Sequence, residues 1–306
     1  MTVSTVEVLR GFDADGNAYR QLGSADVEYN TEVMSIIASG DAFPRWVGAN
    51  GEQQGIPFET PQLATLLAQC GLQGCDASPV TLYYQKVSNL SGRVAHDTAE
   101  HTLIDAASAR MYISSISAGN RAMAMARGRI VPVSDGTNSP LIRTGSSAIT
   151  DAAPTTAEAF VLGPISVHTT KLKACNNFEL NFNAQEWDLS DESFAHRTFA
   201  ASNTISPVIS FMTTDPTAPT YHKAAITSSN KLRVHLIRKK RHEERYLDNE
   251  TQHIRIEAVD GMVLVQQVSN SPREYRVEIY ATGDDADGWT SVPLTITVNS
   301  AIALPA

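Results

Sequence analysis

The sequence predicts a mainly β protein: two tandem copies of one β-sandwich or barrel domain, each with a short helix or helical turn. Three observations predict it. Short runs alternate apolar and polar residues, as in Leu232-Arg233-Val234-His235-Leu236 and Tyr275-Arg276-Val277-Glu278-Ile279. Turn dipeptides punctuate these runs at Asp15-Gly16, Asp135-Gly136, Asp260-Gly261 and Asp287-Gly288. The 306-residue chain also matches itself when shifted by half its length.

The self-match runs from end to end. At a shift of 153, Val8-Leu9 falls on Val161-Leu162 and Asn30 on Asn183. Ile56, Phe58 and Thr60 fall on Ile209, Phe211 and Thr213, an alternating triplet; Val27 and Tyr29 fall on Leu180 and Phe182. Near the ends of the halves, Pro140-Leu141 falls on Pro293-Leu294, and Ser147-Ala148-Ile149 on Ser300-Ala301-Ile302. A shift of 152 puts Met111 and Ile113 on Val263 and Val265, so small gaps lie inside the repeat. The expected domains are residues 1–153 and 154–306, joined through the Ala/Thr/Ser-rich stretch 146–156, and Val27/Tyr29 and Leu180/Phe182 are expected at equivalent core positions.

Within the first copy, Val80 to Tyr84 and Met111 to Ile113 read as strands. Ala122 to Ala126 is helical by propensity alone, but its matched stretch Tyr275 to Ile279 argues for strand. One helix is marked: Thr60 can cap it, Pro61 suits its first turn and Gly71 can end it, with Leu63, Leu66, Leu67 and Cys70 on one face. The second copy has Asp215-Pro216-Thr217-Ala218-Pro219 there, which cannot repeat that helix. Met262 to Val265 reads as a buried strand, and Leu294 to Val298 as the last alternating one.

Composition bounds function. The net charge is -9, and the halves carry 15 acids against 10 bases and 18 against 14, or -5 and -4. Neither half is a basic nucleic-acid domain. No apolar run approaches the roughly 20 residues of a spanning helix, and the first 25 residues lack a signal pattern. Cytoplasmic synthesis and no membrane association are therefore expected. Cys70, Cys75 and Cys175 make no framework or metal pattern and read as buried free thiols.

No catalytic residues, metal ligands or cofactor are expected. His96-Asp97-Thr98-Ala99-Glu100-His101 has the wrong spacing for either zinc-protease motif. Asp13 to Asn17 and Asp284 to Gly288 lack the spacing of a calcium loop and read as hairpin turns. The one charge cluster, Arg238-Lys239-Lys240-Arg241 followed by Arg245, reads as the tip of a hairpin between Leu232–Ile237 and Ile254–Ile256. A protein contact is favoured there over plain solvation or nucleic acid.

The residues resemble the tail tube (major tail) proteins of long-tailed bacteriophages, in an internally duplicated form. Val161 to Ile165 resembles the opening strand of that family and Phe178 to Phe182 the next, followed by a polar stretch through Ser190, Asp191 and Phe194. Pro207 to Asp215 resembles the strand that follows. In the first copy, Ser39 to Pro44 and Ile56 to Thr60 take those places, Leu63 to Gly71 resembles the family helix, and Val80 to Val87 the next strand. The missing second helix is a departure.

The resemblance implies a structural virion protein and no enzyme. Tube proteins of this family stack as rings around a channel for genome passage, each subunit adding strands to an inner β-barrel. A duplicated chain would close a pseudo-sixfold ring with three subunits. Its partners would be itself, other tail proteins at the tube ends, and DNA in transit without specific binding. Its place would be the tail of the virion, assembled in the host cytoplasm. The channel wall is expected to be acidic to neutral, and Arg238, Lys239, Lys240, Arg241 and Arg245 are the expected inter-ring or inter-subunit contact. The competing reading is a virion-associated or other β-sandwich binding module, such as an adhesin, a collar or a glycan-binding protein. A hydrolase is a more remote third.

Overall fold

The computed structural model describes residues 5–40, 42–72, 74–88, 92–93, 100–148, 158–190, 196–239, 252–283 and 292–300. The first half contains β1 (Thr5–Ala14), β2 (Asn17–Tyr19), β3 (Ser24–Ala25), β4 (Glu28–Ile36) and β5 (Trp46–Thr60). It continues with α1 (Leu63–Cys70), β6 (Cys75–Asp76), β7 (Val80–Ser88), β8 (Gly92–Arg93), β9 (His101–Ala106), β10 (Ala109–Ala118), β11 (Met125–Pro132) and β12 (Ile142–Ser147). The second half opens with β13 (Phe160–Val167), β14 (Thr170–Leu172), β15 (Asn176–Asn181), β16 (Gln185–Ser190), β17 (Arg197–Thr204) and β18 (Val208–Thr213). A 3-10 turn (Ala218–Tyr221) follows, then β19 (Ala225–Ile226), β20 (Leu232–Arg238), β21 (His253–Ala258), β22 (Gly261–Asn270), β23 (Arg273–Ala281) and β24 (Leu294–Ser300). The protein is mainly β, and its ladders are antiparallel throughout the named strands.

The strand orders of the halves match. One sheet runs β2-β1-β7-β9-β12 and another β14-β13-β20-β21-β24. The eleven-stranded sheet holds β3-β5-β11-β10 from the first half and β15-β18-β23-β22 from the second, with β6 on β10 and β19 on β22. Ladder registers agree too: Ile56, Phe58 and Thr60 face Ile130, Gly128 and Ala126, while Ile209, Phe211 and Thr213 face Ile279, Val277 and Tyr275. Inward side chains of these sheets meet in one buried cluster that draws on both halves, including Phe12, Tyr19, Phe58 and Leu66 with Phe160, Phe178, Leu180 and Phe211. Phe12 stacks on Tyr19 with centroids 4.7 Å apart, which fixes the β1–β2 hairpin over the first part of this core.

A corner is repeated as well. The Thr60 hydroxyl donates to the Gln21 carbonyl (2.7 Å) and accepts from the Gln62 N–H (3.1 Å), and Gln62 Oε1 accepts from the Arg20 N–H (2.7 Å). In the second half the Thr213 hydroxyl donates to the Lys173 carbonyl (2.6 Å) and accepts from the Asp215 N–H (3.1 Å), and Asp215 Oδ2 accepts from the Lys173 N–H (2.8 Å). The chemistry of a buried turn is thus satisfied twice in the same way. After the corner the halves part. Leu63 to Cys70 form α1, whereas Pro216 and Pro219 limit the second half to the 3-10 turn.

Several expectations need correction. The helix N-cap is Gln62, without a side-chain cap of its own, and Thr60 bonds the corner instead. Gly71 does end the helix, at φ 57, donating its N–H to the Leu67 carbonyl. The strand expected from Ala122 begins at Met125, because Ala126 to Ile130 is the segment that pairs as Tyr275 to Ile279 does. Cys70 and Cys75 form a disulfide across the turn after α1, with Cα atoms 4.5 Å apart; only Cys175 is a buried thiol. Val27 is only partly buried and Tyr29 is exposed, whereas Leu180 and Phe182 are fully buried.

Candidate functional site

The most informative site is the joint between the halves, where β10 pairs antiparallel with β15. Ser115, Ile116, Ser117 and Ala118 face Asn181, Leu180, Glu179 and Phe178, and the Phe182 N–H extends the ladder to the Ser114 carbonyl (3.0 Å). Strand alternation puts Ile116, Leu180 and Phe178 on the core side, where all three are buried. The joint is heterologous: the end strand of one half meets a different strand of the other. Each partner strand has a counterpart with an open edge: β3 on the side away from β5, and β22 only beyond Val265, because residues 222–226 bond its outer edge from Gly261 to Val265. The counterpart of β10 is β22, and that of β15 is β3; these lie toward the two extremities of the long sheet.

Beyond the joint, β16 and β17 form a hairpin arm that leaves β15 and lies on the first half. The Ser134 N–H donates to the Arg197 carbonyl (2.8 Å), and Glu52 makes an isolated bridge with His196. Arg129 approaches Glu186 at 3.8 Å, while the buried Arg197 guanidinium pairs with Asp188. Under this arm lie Tyr112 and Val131, on the side of the long sheet away from the main core, and both are buried. Burial pushes the Tyr112 phenol up, with Arg110 opposing and Glu186 reinforcing the shift.

A second arm, β4 with the outer part of β5, repeats the first in register. Met34, Ser35 and Ile36 face Gly48, Val47 and Trp46, as Trp187, Asp188 and Leu189 face Ala201, Ala200 and Phe199. Every residue of β4 is exposed. One face carries Met34, Ile36 and Trp46, the other Val33 and Val47, and all five are exposed. Sequence reasoning missed this arm. Its signal was apolar residues on both faces of a two-stranded ribbon, which a core strand or a solvated hairpin does not show.

The joint is also pinned outside the sheet. Glu158 reaches the N-terminus of α1, accepting from the Ala64 N–H (2.7 Å), the Thr65 N–H (3.3 Å) and the Thr65 hydroxyl (2.6 Å). A carboxylate there satisfies orphan helix donors and meets the positive end of the helix.

Of the basic cluster, Arg238 ends β20 opposite Phe160, and the Lys239 N–H bonds the Ala159 carbonyl (2.7 Å). Lys240, Arg241 and Arg245 lie outside the described residues, as do His96 and Asp284 to Gly288. The β20–β21 pairing expected around the cluster is present, and Asp15-Gly16 does turn β1 into β2. No helix among the described residues is long and apolar enough to cross a membrane. No protein-family model matches the chain, and no curated protein matches it.

Proposed function

We propose that the protein is a self-assembling structural subunit, the ring-forming protein of a bacteriophage tail tube, and that its halves are two copies of one tube domain. The observation that carries this reading is the heterologous joint. A head-to-tail strand contact inside the chain, with its two halves open again at β3 and along β22 beyond Val265, can repeat from chain to chain. Repetition either closes a ring or runs on as a filament.

Eight principal strands per chain, four from each half, give 24 strands from three chains. At ordinary strand spacing and tilt such a barrel is roughly 40–50 Å across at the backbone, wide enough for a duplex. The part of the long sheet's outer face that the arms leave open would line it. That face mixes charges in pairs, Arg127 with Glu59 (3.2 Å) and Arg276 with Glu278 (2.8 Å), and adds Glu179 and Glu274. Such a wall suits DNA in transit, since unpaired bases would hold phosphate by counterion release.

Negative-stain imaging of the concentrated protein tests the reading. Rings or tubes with threefold symmetry are expected. A chain that stays monomeric at high concentration, or forms only an isologous dimer, overturns it.

A further inference from the structure

We propose that the β4–β5 arm docks on the second half of a second copy of this chain. Its Val33/Ser35/Val47 face lies over β22 and β23, and Val47 sits against Met262 and Tyr280. The proposal rests on the head-to-tail assembly above and adds the residues that meet.

The chain contains its own precedent. Within one chain the β16–β17 arm covers β10 and β11, and the matched surface on the second half is identified by the ladders. Arg110 faces Val131 as Met262 faces Tyr280, and Tyr112 faces Arg129 as Leu264 faces Glu278. At three of these four places the member under the docked arm is the more buried: Val131 against Tyr280, Tyr112 against Leu264 and Arg110 against Met262, while Arg129 and Glu278 are both half-buried. Val131 is 1% exposed and Tyr280 is 41% exposed, and Met262 is 44% exposed. Thr198, Phe199 and Ala200 of the docked arm share a cleft with Arg110 and Val133. Val47 occupies the place of Ala200 in the arm register, so it falls to Met262, which occupies the place of Arg110.

Both sides of this missing contact are apolar. Val47 is 59% and Val33 65% exposed on the arm, facing a methionine and a tyrosine on the target. The docked arm uses ions where the exposed one uses valine: Glu186 sits at the place of Val33 and pairs with Arg129. Apolar groups left open on both members make a contact between chains favourable by burial alone.

The backbone allows the same approach. The docked arm breaks between β17 and β18, at Ile205-Ser206-Pro207. At the matched place in β5, Gly51 and Gly55 bracket Glu52 to Gln54, a spot where a strand can bend at low steric cost.

Cysteine pairing with a short flexible bis-maleimide tests this on the full chain. A V47C chain mixed with an M262C chain should give a cross-linked heterodimer, while V47C alone and M262C alone give no dimer above the wild-type background. Both positions are exposed, so unfolding temperatures should match wild type and serve as the folding control. Absence of the heterodimer from folded protein, or a dominant V47C homodimer, overturns the docking. The double variant V47C/M262C separates this from the ring reading. A ladder that stops at three chains supports both. One that runs past three, or closes at another number, supports the docking and overturns the trimeric ring.

Discussion

The two arms share one strand register and differ in what lies against them. Their cross-strand partners agree from Glu32/Gln185 to Ile36/Leu189, yet β16–β17 lies on a neighbouring half. Among the described residues, β4–β5 touches its neighbour only near its base, at Glu52, and leaves Val33 to Ile36, Trp46 and Val47 exposed. The strands that lead into them differ in the same sense: β15 is sealed against β10, and β3 has β5 on one side only. Local sequence set the hairpins. What covers them depends on which half comes next in the chain. The first half has the second beside it; among the described residues nothing lies in the matching way beside the β22–β23 end of the second half. A side chain at the joint therefore contributes to the stability of the single chain, and under the proposed assembly its counterpart at the open end contributes to contacts between chains.

The sharpest way to break this comparison is the pair Phe182 and Tyr29. Phe182 is fully buried and Tyr29 is 58% exposed. Phe182→Ala should cost about 3–5 kcal/mol, as large aromatic truncations in cores do. Tyr29→Ala should stay within about 0.5 kcal/mol in the isolated chain. Denaturant unfolding of the monomer checks both, and equal costs would mean that the halves are not in different states. Ile116 and Gln267 make the next pair, since they face Ala126 and Tyr275 at matched ladder positions. Ile116→Ala should cost about 2–5 kcal/mol, and Gln267→Ala about 0.5 kcal/mol or less. Gln267→Ala should then weaken or alter assembly without shifting the unfolding midpoint.

Glu158 comes next in size. Its carboxylate bridges the start of the second half to α1 of the first, and Glu158→Ala leaves backbone donors of the helix without that acceptor. A loss of about 1–3 kcal/mol is expected, with Glu158→Gln losing less because an amide oxygen can still accept. Hydrogen exchange should show α1 opening first. If α1 is protected as in wild type, the bridge is not what ties the halves together.

Much of the fold was legible because it rests on local pattern. The alternating runs at 232–236, 275–279 and 294–298 are strands, and Asp-Gly at 15–16 turns β1 into β2. The triplet Ile56/Phe58/Thr60 and its partner Ile209/Phe211/Thr213 occupy matched ladder positions, since an inward-facing row keeps its spacing while the outward row drifts. The strand at Met125 was misplaced by a few residues because Gly119 to Ala124 make a connection whose length differs from Ser271-Pro272 in the second half. The disulfide was missed because C-x4-C acquires meaning only once Gly71 turns the chain back. Val27 and Tyr29 were expected in the core because pattern reports which residues tolerate burial. It does not report whether a partner within the chain supplies it. The arms stayed hidden for the same reason: a ribbon with apolar residues on both faces has its explanation in a surface elsewhere.

The smallest expected effect is a pH dependence that tells the halves apart. His235 and Tyr83 occupy one ladder position, since Val234 faces Ile256 as Leu82 faces Ile104. Tyr83 donates its hydroxyl to Asp13 (2.6 Å), while His235 Nδ1 lies 3.0 Å from the Pro164 carbonyl. That oxygen can only accept, so the neutral ring carries its proton on Nδ1. Burial holds the His235 pKa below its ordinary 6.5; the Pro164 bond opposes the shift, and Arg255 and Arg233 reinforce it. The unfolded chain therefore takes up a proton at a pH where the folded one does not. Any stability tied to the neutral ring is intact above pH 6.5 and declines as pH falls through that value toward the lower folded pKa. Replacing His235 by Gln keeps a donor near Pro164 and removes the titration, so the variant should lose less stability than wild type between neutral and mildly acidic pH. Tyr83→Phe, at the matched place, should leave that slope unchanged. Parallel thermal melts across the range decide it. Identical slopes for wild type and His235→Gln would show that His235 does not distinguish the second half from the first.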